Sequence, residues 1–104
     1  MHISDIIEIL IDFRNRREWK KYHTPKNLAL SVAIEVGELL EMFQWKKDDE
    51  ILKELENEDY RRRIGEEISD VLIYLLLLAH ECEIDVEKAL MDKIKKNEQK
   101  YPER

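Results

Sequence analysis

Two pairs of carboxylates carry the chemistry that this sequence can be read for. Glu35 and Glu38 stand three apart within Glu35-Val36-Gly37-Glu38-Leu39. Glu67 and Asp70 repeat that spacing within Glu67-Ile68-Ser69-Asp70-Val71. On a helix, residues three apart face the same way, with Cβ atoms about 5–6 Å from one another. If the two helices lie antiparallel, four carboxylates converge. Four negative charges that close repel strongly, and some would be driven to protonate unless a cation joined them. A set of ligands that is all oxygen suits Mg²⁺, for which Mn²⁺ can substitute, better than zinc or copper. The competing reading is structural: with 24 Asp and Glu among 104 residues, such coincidences are frequent and most lie on solvated faces.

Other chemistries find less support. A di-iron carboxylate bundle uses Glu-x-x-His on two helices, and neither His23 nor His80 has a Glu three residues before it. No Gly-rich phosphate loop and no Cys/His cluster suited to zinc is present. Cys82 is alone, so no internal disulfide forms, and its position on an apolar stripe reads as core packing. Trp19, Trp45 and His23 are the other residues to weigh, and both Trp residues fall at helix ends beside cations, where a base could stack and phosphates be neutralised. The plainer reading is that aromatics at helix ends pack against the core.

The elements that must position the acids follow from pattern. Hydrophobic residues make up 43% and charged residues 40%, with two Gly and two Pro. That balance argues for long amphipathic helices and against an all-β fold. Ser4 or Asp5 can cap a first helix, with Glu8 completing a capping box after Asp5. Ile6, Leu10 and Phe13, widened by Ile3, Ile7 and Ile11, form its apolar stripe, and the helix is expected to run to about Tyr22. Arg14, Arg16, Arg17, Lys20 and Lys21 read as its solvated face. Thr24 and Pro25 cap and start a second helix, whose stripe is Leu28, Val32, Val36, Leu39 and Phe43. Glu35 falls on the edge of that stripe and Glu38 one step further round. Leu30 and Ile34 lie opposite, so this helix needs two partners. Gly37 costs it about 1 kcal/mol relative to Ala, which close packing against a neighbouring helix would justify.

A short third helix is carried by Ile51, Leu52 and Leu55. Asp59 can cap a long fourth, with Ile64, Ile68, Val71, Leu75, Leu78 and Cys82 as its stripe and Glu67, Asp70 and Tyr74 along one flank. Leu72, Ile73, Leu76 and Leu77 make it apolar nearly all round, so it should be buried on every side. In so short a chain that implies an oligomer. Asp85 caps a fifth helix that turns Val86, Ala89, Leu90 and Ile94 inward and ends near Tyr101-Pro102. The expectation is one all-α domain over residues 1–104, a four-helix-bundle-like fold with a short extra helix. The net charge of −6 disfavours a nucleic acid polymer as partner. The run from Val71 to Ala79 is too short to span a membrane, and no secretory signal precedes the first helix, so a cytoplasmic location is expected.

Taken together, Trp19…His23-Thr24-Pro25-Lys26-Asn27-Leu28, Glu35-Val36-Gly37-Glu38-Leu39…Phe43-Gln44-Trp45, Glu67-Ile68-Ser69-Asp70-Val71-Leu72-Ile73-Tyr74 and Asn97…Tyr101-Pro102 resemble the MazG-like all-α nucleotide pyrophosphohydrolases. Within that family the resemblance is to the compact dCTP pyrophosphatase branch, and it covers nearly the whole chain. It implies hydrolysis of a (deoxy)nucleoside triphosphate, dCTP or a modified relative, to the monophosphate and pyrophosphate. Mg²⁺ would be held by Glu35, Glu38, Glu67 and Asp70, with Glu38 as general base. By the same resemblance Trp45 and Trp19 would contact the base, and His23 and Tyr74, from the same motifs, count among the substrate-binding residues. Lys93, Asn97, Lys100 and Tyr101 would lie near the phosphates or sugar. Relatives of this architecture are dimers or tetramers with sites between subunits. One departure concerns the base. Some dCTP-preferring members carry a histidine inside the first helix, where this chain has Leu10, and this leaves cytosine selectivity in question. A phosphoribosyl-ATP pyrophosphatase is the neighbouring branch, but the two Trp residues and Asn97…Tyr101-Pro102 favour nucleotide-pool house-cleaning. The alternative from another class is a non-catalytic helical oligomer that binds nucleotides or scaffolds a partner.

Overall fold

A computed structural model describes residues 1–103, in which five α-helices and one 3₁₀ turn account for the regular structure. They are α1 (Ile3–Arg16), the turn Lys20–Tyr22, α2 (Pro25–Glu41), α3 (Asp48–Glu54), α4 (Glu58–Glu81) and α5 (Val86–Lys100). The main packing is α2 against α4, with α1 laid on α4.

Local capping chemistry sets most of the boundaries. The Thr24 hydroxyl accepts from the Asn27 N–H at 3.2 Å, with Pro25 at the first helical position. Asp85 accepts from the Lys88 N–H at 3.2 Å. Two starts differ from expectation. Helix α1 begins at Ile3, and the Asp5 carboxylate accepts from the His2 N–H at 2.8 Å, so Asp5 closes the first turn from within instead of capping it. Asn57, not Asp59, caps α4: its side-chain oxygen accepts from the Asp59 N–H at 2.8 Å.

Helix α1 also stops earlier than the expected Tyr22. Its last turn closes through Arg17 N–H and Trp19 N–H, both donating to the Arg14 carbonyl. Between them Glu18 sits at φ 56°, the left-handed conformation that commonly ends a helix. Glycine usually marks this position, and its absence is why the stop is invisible in the sequence. Glu83, also at φ 56°, stands just beyond α4 in the same way.

The buried core of the chain is small. Leu28 is 1% exposed, Leu77 4% and Tyr60 7%, with Ile64 and Ala79 close behind. Tyr60 ties two elements together: its hydroxyl donates to the Met42 carbonyl at 2.7 Å, just past the end of α2. Lys46, ion-paired with Glu54 of α3, lies 4.6 Å above the Tyr60 ring.

Several expected inward residues face out. On α1 the covered side is Ile3, Ile7, Leu10, Ile11 and Arg14, while Ile6 and Phe13 are exposed. On α4, Ile68, Leu72 and Leu75 are exposed, and so is Cys82, which follows the last helical turn and is not packed in the core. Val36 on α2 is likewise exposed. Helix α5 buries none of its residues; Leu90 and Ile94 lie open. Among the described residues, and apart from its own stretch of helix, nothing approaches within 4 Å of where a Gly37 Cβ would stand, so the close packing expected there is not made among them. The radius of gyration, 16.7 Å, exceeds the ~13 Å typical of a compact chain of this length. One chain alone therefore leaves much of its apolar surface uncovered.

Candidate active site

The pairing of α2 with α4 brings the two acidic motifs together. One carboxylate oxygen from each of Glu35, Glu38, Glu67 and Asp70 lies within 4.8 Å of all the others. Glu35 and Glu67 are half-buried, while Glu38 is exposed. Burial, helped by hydrogen bonding to Glu38 and by the facing carboxylates, pushes the Glu35 carboxyl up to about 7. Burial, then the charges of Glu38 and Asp70, also raise Glu67. A cluster that strains its own ionisation is one built for a positive guest.

Two unsatisfied atoms test that fit. Glu35 Oε2 and Glu67 Oε2 are buried and have no hydrogen-bond partner among the described residues. Buried polar atoms are nearly always satisfied, and here a hard divalent cation with oxygen ligands would satisfy both. The residues present therefore suit Mg²⁺.

Beside this cluster lies an aromatic cavity of about 170 Å³ lined by Leu10, Phe13, Arg14, Trp19, His23, Ile73, Tyr74 and Leu77. Its rings form a chain: Phe13 meets Trp19 edge-on with centroids 5.7 Å apart, Trp19 stands 6.5 Å from His23, and His23 stands 6.5 Å from Tyr74. Burial and the neighbouring Arg14 hold His23 below its ordinary value, which favours the neutral imidazole. Tyr74, one turn beyond Asp70 on α4, joins the cavity to the acids.

The remaining candidates are elsewhere. Trp45 is 85% exposed and does not line this cavity. Lys93, Asn97, Lys100 and Tyr101 lie exposed on α5 or just past it. The chain thus brings together Trp19, His23 and Tyr74 but leaves Trp45 and the α5 set apart from them.

The sequence reading missed Arg14. Placed among the solvated cations, it is instead 2% exposed and ion-paired with Glu81 of α4. The signal was there: Arg14 follows Ile7 by seven residues and Leu10 by four, on the covered face of α1.

A helical bundle with a four-carboxylate cluster on its central helix pair defines a class of acidic, metal-fitted α proteins. Comparison with known proteins narrows this. Residues 30–104 match the model of the MazG-like family. The chain is 42% identical over 100 residues to dCTP pyrophosphatase 1 of Rattus norvegicus and 41% identical to that of Homo sapiens, covering 96% of this chain in each case. It spans 59% of the length of each of those relatives. The crystal structure of a pyrophosphatase from Archaeoglobus fulgidus superposes with a TM-score of 0.89 at 50% identity, over 99% of this chain and 94% of that one. The chain belongs to the MazG-like family.

Proposed function

We propose that this protein hydrolyses (deoxy)nucleoside triphosphates, dCTP or modified relatives of it, to the monophosphate and pyrophosphate with Mg²⁺ as cofactor. The observation that carries this is the convergence of Glu35, Glu38, Glu67 and Asp70, with two buried oxygens left unpaired. The names of the relatives, dCTP pyrophosphatase and pyrophosphatase, support it. The nucleotide pool such an activity would cleanse is cytoplasmic.

Mg²⁺ bound by the four carboxylates would neutralise charge developing on the phosphate oxygens. The chain's own residues do the rest. Glu38, which is exposed, orients a water and takes its proton as that oxygen bonds to the α-phosphorus. The bond from the α-phosphorus to the bridging oxygen breaks, and pyrophosphate leaves with the electron pair. Trp19, His23 and Tyr74 hold the base in the aromatic cavity, whose apolar walls exclude water. Trp45, Lys93, Asn97, Lys100 and Tyr101 lie outside that cavity in their own chain, so they complete the site of a neighbouring protomer, where the cations meet the phosphates.

That arrangement requires a homodimer or homotetramer. Its support is the open apolar surface: Leu30 and Ile34 on α2 are 54% and 64% exposed, and α5 buries nothing. Helix α1 lies wholly outside the family-matched stretch, yet we read residues 1–104 as one domain because Arg14 pairs with Glu81. No helix among the described residues is long and apolar enough to cross a membrane.

The test is pyrophosphate release from a panel of canonical and modified nucleoside triphosphates, with and without Mg²⁺, for wild type and Glu38→Gln. Release that needs Mg²⁺ and falls at least ~100-fold in the variant is expected, the scale of a lost acid–base group. No release from any triphosphate would overturn the reading and leave a nucleotide-binding or scaffolding bundle.

A further inference from the structure

Among the described residues, five buried side-chain polar atoms have no hydrogen-bond partner. The acidic cluster accounts for Glu35 Oε2 and Glu67 Oε2. The other three, Arg14 Nε, Arg14 Nη1 and His23 Nδ1, belong to residues that line the aromatic cavity. Arg14 is 2% exposed, and its Nη2 is held by Glu81 of α4. A guanidinium carries five N–H donors and no acceptor. Burying it with two nitrogens unanswered is costly, and a ligand that brings an acceptor repays that cost when it binds. Leu10, one turn earlier on the same cavity wall, offers no polar atom, so on α1 Arg14 alone can read a ligand's polar edge.

We propose that Arg14 is the specificity-determining residue for the base, donating from Nε or Nη1 to the acceptor edge of a one-ring base, with Glu81 as the positioning residue that holds it. The proposal rests on the pyrophosphohydrolase reading and deepens it. The base that fits is cytosine, whose N3 carries no hydrogen and lies beside the O2 carbonyl, giving two adjacent acceptors. Uracil and thymine put an N3–H donor in the middle of that edge, facing a group that can only donate. A cavity of about 170 Å³ walled by Phe13, Trp19 and Tyr74 suits one ring better than two. A site built to satisfy a hydrogen bond rejects the analogue that leaves it unpaired.

The experiment compares kcat/KM for dCTP, dUTP and dGTP with Mg²⁺, and in parallel the calorimetric affinity for dCMP and dUMP without metal. The proteins are wild type, Glu81→Gln and the charge-neutral pair Arg14→Met with Glu81→Gln. Wild type is expected to favour the cytosine nucleotide over the uracil one about 10- to 100-fold, the range of a hydrogen bond to a charged group. In the double variant the ratio falls towards one, mainly by loss on the cytosine side, and Glu81→Gln alone lies between. A purely structural role would lower both substrates alike and leave the ratio unchanged, which overturns the assignment, as does a wild-type preference for dUTP or dGTP. Should the double variant not fold, Arg14→Lys, which keeps the charge opposite Glu81 but moves the donor, carries the same expectation. If wild type releases no pyrophosphate yet binds dCMP over dUMP through Arg14, the hydrolytic reading fails and the base assignment stands. Hydrolysis with no base ratio to lose gives the reverse.

Discussion

Glu35 on α2 and Glu67 on α4 each turn one oxygen, Oε2, into buried space where no donor meets it. The two helices pack closely through their apolar residues, and the acids are carried into the interface with them. Glu35 is pushed up to about 7 as a result. An unfolded chain ionises its glutamates near their ordinary value, about 4.3. Between there and pH 7 the unfolded state has released a proton that the folded state still holds, so stability falls as pH rises through that window. Metal-free protein should therefore melt at a lower temperature at pH 8 than at pH 5.5. Mg²⁺, which binds the ionised form, should raise the melting temperature much more at pH 8 than at pH 5.5, and Glu35→Gln should flatten both trends. Calorimetric melts at the two pH values, with Mg²⁺ and with a chelator, decide it. An equal Mg²⁺ effect at both would count against the cluster as the site.

Leu28 is 1% exposed at the start of α2 and anchors the small core that aligns α2 with α4. Leu28→Ala should cost about 2–5 kcal/mol, as buried leucine deletions do. Urea titration followed by circular dichroism would measure it. A loss below about 1 kcal/mol would mean that the site collapses around the cavity or that the core lies elsewhere.

The Tyr60 hydroxyl donates to the Met42 carbonyl at 2.7 Å, linking the first turn of α4 to the end of α2. Tyr60→Phe keeps the ring under Lys46 and removes only that donor. The expected cost is about 1 kcal/mol, read from the shift in the urea midpoint. Turnover should change little, since the acids lie further along both helices.

Glu83 adopts the left-handed conformation, φ 56°, where an L side chain costs about 1–2 kcal/mol. Glu83→Gly should raise stability by up to about 1 kcal/mol after the glycine's greater freedom in the unfolded chain is subtracted. Glu83→Ala should not, because the strain remains. Thermal melts of the two variants side by side separate backbone strain from side-chain charge.

Ile34 is 64% exposed on the side of α2 away from α4. Wild-type protein should show a mass in light scattering of two or four times the 12.6 kDa chain. Ile34→Lys places a charge in the covered patch and should shift the mass towards 12.6 kDa, with turnover lost alongside because the site is then incomplete. A wild type that is monomeric at working concentration would count against sites shared between chains.

Much of the site was legible because its signals are local. Glu35 with Glu38, and Glu67 with Asp70, share a helix face by spacing alone, and Thr24, Pro25 and Asp85 announce helix starts through groups that act within one turn. The aromatic cavity was legible only in part. Trp19, His23 and Tyr74 were singled out one by one, but their meeting depends on α1 lying on α4. Arg14 was hidden because a run of cations reads as solvated unless something holds one of them inside. That something, Glu81, is far away in sequence, and a partner at that distance leaves no local trace.

The same division runs through the whole chain. Helix content, the caps and the acidic pairs follow from interactions within one or two turns, which the order of residues sets directly. Which side of α1 and α4 is covered was decided by tertiary packing: both helices carry apolar residues on more than one face. Ile6, Phe13, Ile68 and Leu75 had as good a claim to the core as Ile7, Leu10 and Leu77 until α2 and α1 took their places against α4. Packing also made Arg14 a buried cation and Cys82 an exposed thiol, since burial depends on the neighbour and not on the residue alone.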